Sequence, residues 1–387
     1  MTDAKSSAIL PRCPTTYWLT ALLIPCAIGI FVACQIYGFE RSIPDFRVMS
    51  LMLALLTAMA TAGLWWQKLW ALWETLVVLS FAATLDLFLW SVSFQRMLIA
   101  LSVVVLCVIA VLAFHLGPPL GRDVSIYQRS LYAFVLCFAS WVAFWGLLRP
   151  AGVARALPFT VPPLHARFLG SMYLSGVVFM LLALIARRWY EVRVVTLILA
   201  VWTGMLGIVS LFHLDAFAWS RDQTWFWFFA YICYPLVALW VAWCQRGEND
   251  HPAGPHLSLV LRLYLYLQGA AAIALALALL FAPQFMTTVW PWKIPMLVAH
   301  IYGAPFLSFG IGSLYAAHQQ AWSEVRIVIL GTLVFALGVL TASRLHVKLF
   351  DLHSISAWIW FGGFGLVSIS LLLFSAVPSL RNAPRAG

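Results

Sequence analysis

Trp189-Tyr190-Glu191-Val192-Arg193 and Trp322-Ser323-Glu324-Val325-Arg326 are near-copies of one another, and each leads into an apolar run, 194–213 and 326–345 respectively. A helix of about twenty residues rises roughly 30 Å, the thickness of a bilayer's hydrocarbon core. Each run is therefore read as a membrane-spanning helix. Its entry carries a carboxylate in the first turn, where the helix dipole favours it, and an arginine that pairs with it or anchors at lipid headgroups.

Working outward from these two segments, the match continues at one fixed offset, the 133 positions that separate Glu191 from Glu324. Arg129 meets Arg262, Pro150 meets Pro283, Pro162 meets Pro295, Gly170 meets Gly303, His213 meets His346, and Trp225 and Trp227 meet Trp358 and Trp360. Leu, Ala and Val match by chance between any two apolar helices, whereas Pro, Trp, Glu, Arg and His in register do not. The pattern reads as a tandem repeat of a four-helix unit. Four spans per unit is an even number, so both copies would have the same orientation in the membrane, as parallel repeats do.

The expected division is 1–128 as an N-terminal four-helix membrane group, 129–250 as a first repeat unit and 251–387 as a second. About twelve spans are expected, at 17–37, 46–66, 69–92, 97–116, 129–148, 166–186, 194–213, 224–244, 260–281, 297–317, 326–345 and 355–376. The breaks between them carry turn residues or charge, such as Gly117-Pro118-Pro119 and Arg187-Arg188. Pro44, Arg47 and Trp73-Glu74 echo the later units with altered spacing, which leaves open a third, divergent copy within 1–128.

Composition agrees with a membrane as solvent. Of 387 residues, 64% are hydrophobic and 9% charged, against about 25% charged in a soluble domain. The net charge of +10 is spread singly and in pairs over short connections, with no basic stripe of the kind that binds nucleic acid. Lys and Arg are slightly more numerous on the side of the N-terminus, which favours cytoplasmic termini and a bacterial cytoplasmic membrane. The seven cysteines form no C-x-x-C pair and read as small buried residues. The first apolar run is too long for a signal-peptide core of about 7–15 residues and is expected to remain as a helix.

Candidate functional residues fall into three groups. Glu191 with Arg193, and Glu324 with Arg326, are capping and topology elements or else symmetric gates between helices. Arg167 and His300 share one repeat position about a turn inside their helix, where a cation in apolar surroundings needs a partner or an anion. Asp86 is the carboxylate near the middle of a span, at a cost of at least about 2.5–3.5 kcal/mol, and is either an ion-linked site or a packing element. Gln268, Tyr264 and Tyr266 are its possible polar company.

His165, His213, His346 and His353, with Asp215 and Asp351 nearby, lie near one face in the expected topology. They are weak candidates for a metal or haem site, although no C-x-x-C-H or H-E-x-x-H motif accompanies them. The 20 tryptophans gather at span ends and read mainly as interfacial belts. A transporter or permease for a small solute or ion is the leading functional reading. A membrane binding or assembly protein without catalytic activity, and a haem- or metal-binding redox or sensor protein, are the alternatives. No nucleophile–base set, acidic metal motif or phosphate loop points to an enzyme. The lipid bilayer is the one partner the sequence names, and it names no cofactor.

Overall fold

In a computed structural model the described residues are 59, 123–159, 161–245, 252 and 255–382. Apart from Met59, the first four expected spans lie outside them, as do Asp86 and the question of a third copy. The described helices all fall in the compact unit Pro118–Gly387. Eight of them are long and apolar enough to cross a membrane: α1 (Ile126–Leu148), α2 (Pro163–Ile185), α3 (Trp189–Leu211), α4 (Asp222–Cys244), α5 (Leu259–Phe281), α6 (Met296–Ala317), α7 (Trp322–Leu345) and α8 (Ile355–Ala376). No strand occurs among the described residues, only isolated bridges. The chain is accordingly a helical, multi-pass membrane protein.

Local sequence sets the helix ends. Ser125 and Ser258 cap α1 and α5, accepting from the Gln128 and Leu261 N–H groups. Pro162 and Pro295 precede α2 and α6 and supply the extended entry that proline's fixed φ favours. Glu191 closes the start of α3 by accepting from the Arg187 and Arg188 N–H groups, at 3.1 and 3.0 Å. Glu324 does the same for α7 with Gln320 and Ala321, both at 2.8 Å. These caps satisfy backbone donors that have no partner inside their own helix. They also start α3 and α7 several residues before the expected apolar runs, so the Glu–Arg motif belongs to the helices themselves.

The packing order differs from the chain order. α1 lies along α2, α3 along α4, α5 along α6, and α7 along α8. Consecutive α2 and α3 touch little, as do α6 and α7; instead α2 packs on α7, α6 packs on α3, and α3 meets α7. The centre is thus formed by α2, α3, α6 and α7, with α1, α4, α5 and α8 outside. α5 and α8 are largely exposed, with many aliphatic side chains on their outer faces.

At the centre, small residues admit large ones. A Cβ on Gly331 of α7 would collide with the Phe179 ring of α2, and one on Gly312 of α6 with the Ile198 side chain of α3. Such close approach is how membrane helices gain packing where water supplies no hydrophobic drive between them. The tryptophans depart from the expected belts. Trp189, Trp227, Trp290, Trp292 and Trp360 are buried, while Trp225 and Trp358 are exposed. Trp227 donates to Ser210 Oγ at 2.8 Å and Trp360 to Ser343 Oγ at 2.9 Å, so these indoles tie neighbouring helices together.

Candidate functional site

The charged motifs at the starts of α3 and α7 face each other. Arg193 pairs with Glu324 and Arg326 pairs with Glu191, so each arginine reaches the carboxylate of the other four-helix set. Glu324 is fully buried and Glu191 nearly so. Each carboxylate therefore accepts from two backbone N–H groups and one guanidinium, which offsets its removal from water. Pairing within Glu191–Arg193 and Glu324–Arg326 was one sequence expectation; the structure exchanges the partners.

At the opposite end of the same helices a second pair of contacts is exchanged in the same way. His213 Nε2 lies 2.7 Å from His300 Nδ1. Arg167 donates to His346 Nε2, and its Nε donates to the Leu147 carbonyl at 3.3 Å. Arg167 thus has its partner, a neutral imidazole rather than an anion. Desolvation and the facing Arg167 guanidinium push the His346 imidazole below its usual range.

The remaining histidines separate rather than gather. His165 meets the Tyr302 hydroxyl at 2.8 Å and the Lys293 carbonyl at 3.1 Å. His353 sits on an exposed turn whose backbone N–H donates to Asp351. Among the described residues no three His, Cys, Asp or Glu side chains come together as a metal-holding group.

One cavity among the described residues was absent from the sequence reading. It has a volume of about 700 Å³ and lies between α5, α6, α7 and α8. α5 and α8 touch through Tyr264 and Phe374, whose ring centroids are 5.2 Å apart, and the cavity opens further along them. Its wall is apolar apart from a few groups, among them Gln268, Trp290 and Thr332. Gln268 Nε2 donates to Ser313 Oγ at 2.8 Å, and its buried Oε1 has no hydrogen-bond partner. Thr332 Oγ1 and Trp290 Nε1 have none either.

The matching space between α1, α2, α3 and α4 measures about 40 Å³. Phe138, Tyr173, Trp202, Tyr231 and Tyr234 fill it, and the Tyr173 and Tyr231 hydroxyls bond to each other. At the offset of 133 from Phe138 and Tyr234 stand Ala271 and Val367, so the second set has two fewer large rings there. The signal was legible as a difference between aligned positions, but only the packing shows that the differences adjoin one another. No protein-family model, curated protein or solved structure matches the chain.

Proposed function

We propose that the protein is a membrane-embedded binding protein that holds a small, largely apolar molecule in the cavity of α5–α8. The observation that carries this reading is the contrast between an open cavity of about 700 Å³ and a filled counterpart of about 40 Å³ in otherwise corresponding helix sets. A pocket of this size, mostly apolar with a few fixed polar groups, is the ordinary form of a small-molecule site.

The reading includes a tandem repeat, 129–250 and 251–387, related by an axis near the membrane normal, with 1–128 supplying four further spans to make about twelve. Several correspondences support it. Helix starts 126, 163, 189 and 222 are followed at the same offset by 259, 296, 322 and 355. The bridges Asp123–Arg188 and His256–Ala321 correspond, as do the bonds from Arg129 to the Leu184 carbonyl and from Arg262 to the Ala317 carbonyl. Both termini are assigned to the cytoplasmic side of a bacterial cytoplasmic membrane, on the distribution of Lys and Arg.

In this reading the Glu–Arg, His–His and Arg–His contacts hold the two units together. Native mass spectrometry of the full chain extracted from membranes tests it. The expected result is a retained small molecule that Ala271→Phe with Val367→Tyr removes; a chain free of bound mass under conditions that preserve lipid adducts on other membrane proteins would defeat it.

Transport is the second reading, favoured by polar contacts that close the α3–α7 centre at both ends. Reconstituted vesicles in which Glu191→Gln with Glu324→Gln changes solute flux, while the cavity variants do not, would establish it over binding.

A further inference from the structure

The cavity of α5–α8 has a direction. On α8 its wall follows one stripe, Ile355, Ile359, Gly363 and Val367, and on α5 it follows Gln268, Ala271 and Leu275. Beyond Val367 the Tyr264 and Phe374 rings, with centroids 5.2 Å apart, close the gap between the two helices. At the other end the wall reaches the start of α8, where Ser354, Ser356 and Pro291 line it. The space is a slot that begins at one membrane surface and ends blind inside the bilayer. From Ile355 to Val367 the helix rises roughly 18 Å, against about 15 Å for one leaflet's half of the hydrocarbon core. The slot is one leaflet deep.

Its width comes from small residues. A Cβ on Gly363 would meet nothing within 4 Å, and Ala271 stands on the α5 side. Both residues are exposed, as are Leu267, Leu277, Ile359 and Leu366 on the same helices, so the slot opens along its length toward hydrocarbon rather than water. Its back is a run of rings: Phe309 and Phe335 stack with centroids 4.9 Å apart, and Phe364 adjoins Phe335 at 5.8 Å. Phe309 and Phe335 are each 3% exposed, so a lipid lying on the outer surface of α5 and α8 does not reach them. Left empty, the slot forfeits the dispersion contacts of its lining, and a hydrocarbon chain restores them. No Lys, Arg, His, Asp or Glu lines it, so a charged headgroup stays outside.

We infer that the slot takes one acyl chain of a bilayer phospholipid from the leaflet at the α8 start, with the headgroup left at the surface beside Ser354 and Ser356. The inference rests on the binding reading above and names its ligand.

The test reconstitutes the full chain in phosphatidylcholine vesicles with phosphatidylcholine carrying a diazirine at the end of one chain, the same lipid with the diazirine beside the chain carbonyl, and adamantyl diazirine as a compact hydrocarbon. The chain-end probe is expected to label Phe309 and Phe335, and the carbonyl-end probe Met286 and Trp290. Gly363→Leu should reduce labelling of Phe309 and Phe335 about fivefold, the equivalent of about 1 kcal/mol and close to the burial of a single methylene. Gly365→Leu should leave it unchanged, because a Cβ there also meets nothing within 4 Å but Gly365 does not line the slot.

Labelling of Phe309 and Phe335 by adamantyl diazirine alone, or the reverse order of the two lipid probes, would overturn the phospholipid chain while leaving a binding cavity. Labelling by no probe, or labelling that Gly363→Leu leaves unchanged, would overturn both. A chemical cross-link from the cavity wall to residues 1–117, or to a second copy of the chain, would also overturn both.

Discussion

Helices α1 and α4 meet through Phe134, Phe138, Phe226, Tyr231 and Tyr234, with ring centroids between 5.1 and 6.4 Å apart across the seam. The corresponding positions of α5 and α8 carry Leu267, Ala271, Ile359, Phe364 and Val367, and the space between them is open. The first set of four helices therefore closes where the second leaves a cavity, and the contrast follows a few ring volumes on the outer helices. At the centre the two sets differ in a complementary way. Phe179 and Ile198 come from the first set, and the glycines that receive them, Gly331 and Gly312, from the second. Large against small at both places favours the pairing of unlike sets over two copies of either.

The largest expected loss comes from the exchanged ion pairs. Glu324→Ala strands Arg193 and two backbone donors, and is expected to cost about 3–5 kcal/mol, read as thermal unfolding of the purified protein. Glu191→Ala should cost less, because the Arg326 side chain is 46% exposed while that of Arg193 is 28% exposed. Equal losses would mean the two pairs do the same work despite their burial. Next in size, Phe138→Ala should open the first set at about 3 kcal/mol, by removing a ring from a filled space. A destabilisation no larger than that of a surface substitution would show that the aromatic seam is not what closes it.

Gly331→Leu drives a side chain into the Phe179 ring and is expected to cost about 1–3 kcal/mol, with Phe179→Ala recovering part of it. Additive losses in the double variant would place the strain elsewhere. A smaller effect of opposite sign is expected from Ala271→Phe with Val367→Tyr. Filling the cavity of ligand-free protein should raise the melting temperature by about 2–4 °C.

The smallest effect concerns pH. The His346 imidazole is held below its usual value of about 6.5, so below that value the unfolded chain binds more protons than the folded one. Stability should therefore fall as pH drops through about 6.5 toward the lower folded value, and His346→Gln should flatten that dependence. His346 is partly exposed, so screening keeps the effect modest.

Hydropathy and helix-end residues carry much of the local architecture because both depend on residue type over a short stretch. Apolar runs of span length announce membrane helices, and Pro162 with Pro295 or Glu191 with Glu324 mark where helices begin. The exchange of partners is different. Nothing in Glu191-Val192-Arg193 says that Arg193 reaches Glu324, because pairing depends on α3 and α7 meeting across the centre. The buried tryptophans show the same limit, since a Trp near a span end fits either a lipid interface or a helix–helix contact until its neighbours are known.

By itself the sequence determined that this protein is built of apolar helices with capped ends and a recurring polar punctuation. Each of those properties follows from hydrogen bonding and solvation within a short stretch of chain. Only the tertiary structure decided that α2 and α3 part from each other to pack on α7 and α6, and that Ala271, Val367, Gln268 and Thr332 line one space. A cavity is a missing volume shared by four helices, and no one-dimensional pattern records which missing side chains are neighbours.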